Sequence, residues 1–173
     1  MTDLKTVGPK MVGRAVEDGY RGPQVCSIVG ITYRQLDYWA RTDLLRPSIS
    51  EARGSGTQRR YSYRDLLQLK VIKRLLDAGI SLHSARRALD CLRSSGEDVA
   101  TANLVIDEGR TVMTQSGEEI IDLLKGGQGV LNIVPMGAVV SEVDAAIHEL
   151  GLPAGRTADE APGGASPAAG TGG

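Results

Sequence analysis

The sequence predicts an α+β protein: a mostly helical N-terminal half, then a small α/β unit of ββαβα order, with disordered tails. Three observations carry this reading. Residues 21–93 hold four successive runs in which apolar side chains recur at helical spacing. Residues 103–150 instead alternate short β-rich runs with two helical ones. The stretches before and after lack sustained periodicity, and the last, GLPAGRTADEAPGGASPAAGTGG, is too poor in apolar surface to offset ordering entropy. The division is a flexible arm over residues 1–19, a domain over 20–93, a linker over 94–102, an α/β unit over 103–150 and a disordered tail over 151–173.

Composition narrows the class. Of the 173 residues 41% are hydrophobic and 24% charged, the mix of a soluble globular protein. Aromatics reach 3% with no Phe, so aliphatic side chains must build the core. No apolar run is long enough to span a bilayer and the opening residues lack a signal-peptide core, so a cytoplasmic protein without a membrane partner is expected. The net charge of −1 hides a segregation. Residues 21–93 carry 14 Lys or Arg against 6 Asp or Glu, whereas residues 101–173 carry 3 against 10. A basic half of this kind is the electrostatic footprint of a nucleic-acid partner, or else a solvated basic face. Cys26 and Cys91 lie far apart with no nearby His, and His83 and His148 are isolated, so no metal or cofactor is expected and both cysteines read as small core residues.

The elements follow in order. Pro23 suits a first helical turn, and Val25, Ile28 and Val29 give the first helix one apolar face before Gly30 ends it. Thr32-x-x-Gln35 is a capping box opening a second helix, roughly Tyr33 to Arg41, with Leu36 and Trp39 on the inner side. Two short helices around a tight glycine turn make a helix-turn-helix. The run from Ser48 to Tyr61, flexible around Arg53-Gly54-Ser55-Gly56, predicts a two-stranded β wing with a basic edge. Ser62, with Asp65 three residues on, caps a third helix striped by Leu66, Leu69, Ile72, Leu75 and Leu76. Gly79 closes it, and Ser81 caps a fourth carrying Leu82, Ala85, Ala88, Leu89 and Leu92.

The candidate binding set lies on the second helix and the wing. Arg34, Gln35, Asp37, Tyr38 and Arg41 fall off the buried stripe. Arg34 and Gln35 are the expected groove-facing pair, because Arg can bond guanine bidentately, Gln can read adenine, and N-terminal residues of a recognition helix usually meet the bases. Thr32 and Tyr33, at the start of that helix, complete the set. Arg53, Arg59 and Arg60 are each placed to neutralise a backbone phosphate.

The runs ITYRQLDYWARTDLLRPS and RRYSYRDLLQLKVIKRLLDAGISLHSARRAL resemble the second helix, and the wing strand with the third and fourth helices, of MerR-family regulators. The resemblance covers about 73 of 173 residues, and the opening YRGPQVC is similar to short actinobacterial members. It implies a winged helix-turn-helix that regulates transcription, with Arg34, Tyr38 and Arg41 docking the helix and Arg59, Arg60 and Tyr61 the wing. The implied partners are double-stranded DNA and RNA polymerase. The chain departs from the family where a long pairing helix usually follows: Ser94-Ser95-Gly96 interrupts the pattern.

In the second unit, NLVID and RTVMTQ read as strands around Glu108-Gly109, with a helix from about Glu118 to Lys125, a glycine break at Gly126-Gly127-Gln128-Gly129, a third strand VLNIV and a last helix from Val139 to Leu150. This unit is too small to hold much core alone. Packing on the first domain or on a second copy would supply what it lacks. Dimerisation is the first expectation, with a packing appendage and ligand sensing as alternatives. An enzyme is not expected, since the unit has one His, no Cys and no Ser-His pair. The alternative function is an architectural or excisionase-like DNA-bending protein without direct control of polymerase.

Overall fold

Gly19 opens the described chain at φ +67 and leads into β1 (Tyr20–Arg21). The computed structural model describes residues 19–51, 58–95, 101–106, 111–114 and 132–154. The expected arm before Gly19, the Arg53–Gly56 loop, the Glu108-Gly109 turn, the helix near residues 118–125, the glycine break after it and the tail beyond residue 154 lie outside those residues.

The helix-turn-helix forms as its capping residues dictate. In α1 (Gly22–Val29) Val25, Ile28 and Val29 are buried, and Gly30 closes the helix in the left-handed region at φ +79. Thr32 then caps α2 (Tyr33–Arg41): its hydroxyl accepts from the Gln35 amide at 3.2 Å, while Gln35 Oε1 accepts from the Thr32 amide at 3.0 Å. A cap of this type contributes about 1 kcal/mol. Leu36 and Trp39 anchor the inner face, and Leu44 and Leu45 bury just beyond it.

The β ribbon differs from the expected wing. Among the described residues one bridge, Ser50 to Arg60, joins the two arms around the loop, and the ladder of β2 (Arg60–Tyr61) runs to β1. Tyr20 opposes Tyr61 on the buried face, and Arg21 opposes Arg60 on the outer one. Burying two aromatic rings side by side is what the N-terminal strand adds. The fit is tight, since a Cβ on Gly19 would lie 2.6 Å from the Tyr61 carbonyl oxygen.

Ser62 caps α3 (Tyr63–Asp77), and Asp65 makes that corner rigid. Its buried Oδ2 accepts from the Ser62 amide at 2.9 Å, the Ser48 amide at 2.8 Å and the Ser48 hydroxyl at 2.7 Å. Gly79 turns the chain at φ +82, and Ser81 caps α4 (Leu82–Ser94), which buries Ala85, Ala88, Leu89 and Leu92.

The second unit is an antiparallel sheet in the order β4-β3-β5, built from β3 (Asn103–Ile106), β4 (Thr111–Thr114) and β5 (Asn132–Pro135), followed by α5 (Met136–Glu149). The helix starts three residues before the expected Val139, because Pro135, with φ −67, passes strand directly into helix as its N-cap. The sheet packs on α4, and α5 packs on α1 and α3. Leu104, Ile106, Met136, Val143 and Ile147 share one core with Val25, Leu69 and Leu75. Among the described residues, this sheet and α5 pack on helices of the same chain. Each fully buried aliphatic side chain there is worth about 1.5–3 kcal/mol. The polar contacts across the seam fix register more than they add energy: Glu142 with Lys70 and Arg74, Tyr63 Oη to Asp144 at 2.6 Å, and Tyr20 Oη to the Pro153 carbonyl at 2.9 Å.

Candidate nucleic-acid interface

The outer face of α2 follows from its inner one. With Leu36 and Trp39 anchored, Tyr33 is left 61% exposed and Tyr38 51% exposed, with Arg34, Gln35 and Arg41 also on the surface. Two large aromatic side chains in water beside basic groups are amphipathic surfaces able to stack or bond to a partner. Arg34 makes no ion pair among the described residues, so its guanidinium fork is available. Thr32 and Gln35 stand differently. Their side chains are engaged in the capping box, with Gln35 Oε1 already accepting from the Thr32 amide.

Asp37 organises the rest. It accepts from Arg59 at 2.7 Å and also from Arg41 one turn on, so one carboxylate ties Arg59, next to β2, to α2. The Arg59 hydrogen bond, then that of Arg41, holds the Asp37 carboxyl below its ordinary value. The same bond raises Arg59 above the usual guanidinium range. Arg59 was expected to lie free for a phosphate; its side chain is only 23% exposed and is engaged in this clamp. The sequence marked Asp37 only as a residue off the buried stripe. The signal was the single acidic residue amid the basic face of that helix.

Tyr61 requires a correction. The resemblance implies that it docks the wing with Arg59 and Arg60, but it is 0% exposed, packed opposite Tyr20 in the core. It supports the wing from below and presents no surface to a duplex. Its hydroxyl has no hydrogen-bond partner among the described residues, and burial pushes its pKa up to about 12. Arg60 does lie on the outer face. Arg53 lies outside the described residues.

Much of the basic excess is neutralised within the chain. Lys70 and Arg74 meet Glu142, Lys73 meets Asp77, Arg93 meets Asp90, and Arg46 meets Asp43 and Glu51. Arg86 donates to the Thr42 carbonyl at 2.8 Å, fastening α4 to the end of α2. Among the described residues Arg21, Arg34, Arg60 and Arg64 make no ion pair. Arg21 was not singled out from the sequence. Its alternation with the buried Tyr20 was the available clue. Cys26 and Cys91 are half-buried against the core, and burial raises both thiols. No three His, Cys, Asp or Glu side chains converge among the described residues. No helix among them is long and apolar enough to cross a membrane.

Residues 20–91 match the family described as MerR HTH family regulatory protein. The chain is also 57% identical over 122 residues to proteins named as uncharacterized HTH-type transcriptional regulators, one from Mycobacterium bovis and others from two strains of Mycobacterium tuberculosis. The match takes in 70% of this chain and 54% of each relative, so the chain spans about half the length of these proteins.

Proposed function

From the premise that residues 20–91 form a MerR-type helix-turn-helix domain, we propose that this protein binds duplex DNA sequence-specifically and regulates transcription from the bound site. The observation that carries the reading is the outer face of α2: exposed Tyr33 and Tyr38 with Arg34, which makes no ion pair among the described residues, on a helix locked by the Thr32 cap and by Asp37.

In this reading α2 enters the major groove. Arg34, near its N-terminus, reaches a base edge, and Tyr33 and Tyr38 flank it against sugar and phosphate. The wing lies over the neighbouring backbone, carried by Arg60. Arg59 acts by holding the wing at a fixed angle to α2. An operator read by two copies would need a pairing surface other than the faces of the sheet and α5 already covered by α1, α3 and α4. Control of polymerase is the expected consequence for a protein whose relatives are named transcriptional regulators.

The test is binding to a genomic duplex library and to random duplex at near-physiological salt. A motif enriched by roughly 10³-fold or more over random sequence supports the reading. Uniform retention of all sequences removes it, and long cooperative coverage would favour an architectural, DNA-bending role.

A further inference from the structure

Arg21 and Arg60 are direct cross-strand partners on the outer face of the β1–β2 ribbon, with Tyr20 and Tyr61 buried beneath them. Side chains so opposed have Cβ atoms about 4.5–5.5 Å apart, and like charges there are destabilising. Around them the molecule supplies carboxylates to its arginines readily: Asp37 to Arg41 and Arg59, Asp43 and Glu51 to Arg46, Glu142 to Arg74. Neither Arg21 nor Arg60 receives one among the described residues.

Both backbones are nonetheless fixed. Arg60 exchanges hydrogen bonds with Ser50, donating at 2.8 Å and accepting at 3.2 Å, and the Arg21 amide is held by Gln24 Oε1 at 2.9 Å. Gly19 passes close under the same strand, where a Cβ would lie 2.6 Å from the Tyr61 carbonyl oxygen. The ribbon therefore roots two like-charged arginines directly opposite each other on its outer face.

We propose that Arg21 and Arg60 form a two-armed seat for one phosphate of the DNA backbone, flanking the bases met by α2. Planar guanidinium forks match phosphate oxygens bidentately, and two of them converging on one group fix position as well as charge. The seat rests on the DNA-binding reading above and adds to it a contact from the N-terminal strand. It carries no sequence information of its own, and it sets the angle at which the recognition helix meets the groove.

The test uses the full chain and its Arg21→Gln, Arg60→Gln and Arg21→Lys variants, titrated with an enriched duplex and with random duplex across a salt series. Either Gln variant is expected to weaken both duplexes by a similar factor and to flatten the plot of log affinity against log salt by about one unit, as for one lost phosphate. Arg21→Lys should restore the slope and only part of the affinity. In the absence of DNA both Gln variants should melt at or above the wild-type temperature, since a repulsion has been removed. Wild-type binding that Arg21→Gln leaves unchanged in affinity and slope overturns the seat while leaving the DNA reading intact. A wild-type chain that retains no duplex overturns the reading, and the seat with it. Stabilisation of the wild type, and not of Arg21→Gln, by inorganic pyrophosphate without any duplex binding would assign the pair to a free phosphate and contradict the DNA seat.

Discussion

Asp37 on α2 and Arg59, next to β2, are joined by a 2.7 Å hydrogen bond that spans 22 residues of chain. In the proposed DNA-binding reading this carboxylate would lie beside the duplex and repel phosphate. Its place is explained by what it holds: without it the wing arginine and Arg41 would both be loose. Asp37→Ala is therefore expected to trade discrimination for charge. Binding to random duplex should strengthen and its salt slope steepen by about one to two units as the freed arginines find phosphates. The ratio of specific to random affinity should fall. Weaker binding to both duplexes, with an unchanged slope, would show that Asp37 does not hold the arginines back.

Acid should act on the same clamp. The Asp37 carboxyl sits below its unfolded value, so the clamp is fully present above that value and is lost as pH falls through the folded one. The Arg59 side-chain signals, followed by NMR across an acid titration, should lose their folded shifts together with protonation of Asp37, and the coupling should vanish in Asp37→Asn.

Arg34→Ala should cost about 1–3 kcal/mol on the preferred site and relax preference at one base position. An equal loss on preferred and random duplex would assign Arg34 to a phosphate instead of a base.

Tyr61 gives a prediction at alkaline pH. Its folded pKa, pushed up to about 12 by burial, exceeds the ordinary value of 10.0, so its contribution is complete below pH 10 and disappears as pH rises toward 12. Melting temperature should drop over that window. Tyr61→Phe should remove part of the drop, with Tyr20, also raised to about 12, accounting for more. At neutral pH the Phe variant should match or slightly exceed the wild type, because the lost hydroxyl bonds to nothing among the described residues. A loss near 2 kcal/mol at neutral pH would mean that the hydroxyl is bonded after all.

The seam between the two halves separates packing from charge. Ile147→Ala, emptying a buried site on α5, should cost about 2–5 kcal/mol, whereas Glu142→Ala on the partly exposed rim should cost at most about 1 kcal/mol. Both should shift one cooperative transition in thermal denaturation. A helix-turn-helix that melts unchanged in Ile147→Ala would show the halves to be independent.

What was legible in the sequence is what local chemistry decides. The boundaries of α2, the Thr32–Gln35 and Ser62–Asp65 caps and the turns at Gly30 and Gly79 all follow from short-range spacing, and the structure has each where it was expected. What was not legible depends on distant partners. Two consecutive residues, Tyr20 and Arg21, give no strand periodicity, so their pairing with Arg60 and Tyr61 was invisible, and with it the burial of Tyr61. Ser48 binding Asp65 and Asp37 binding Arg59 likewise join residues that only the fold brings together. The basic excess over residues 21–93 overstates the free charge of that half, because Glu142 comes from the other half to pair with Lys70 and Arg74.

The most direct test of the central claim is selection from a random duplex library by the purified chain and by Arg34→Ala, side by side at near-physiological salt. A discrete motif for the wild type, with one position relaxed in the variant, is the outcome expected of a sequence-reading helix with Arg34 on a base edge. No motif for the wild type, or the same motif at the same strength from both proteins, would contradict it.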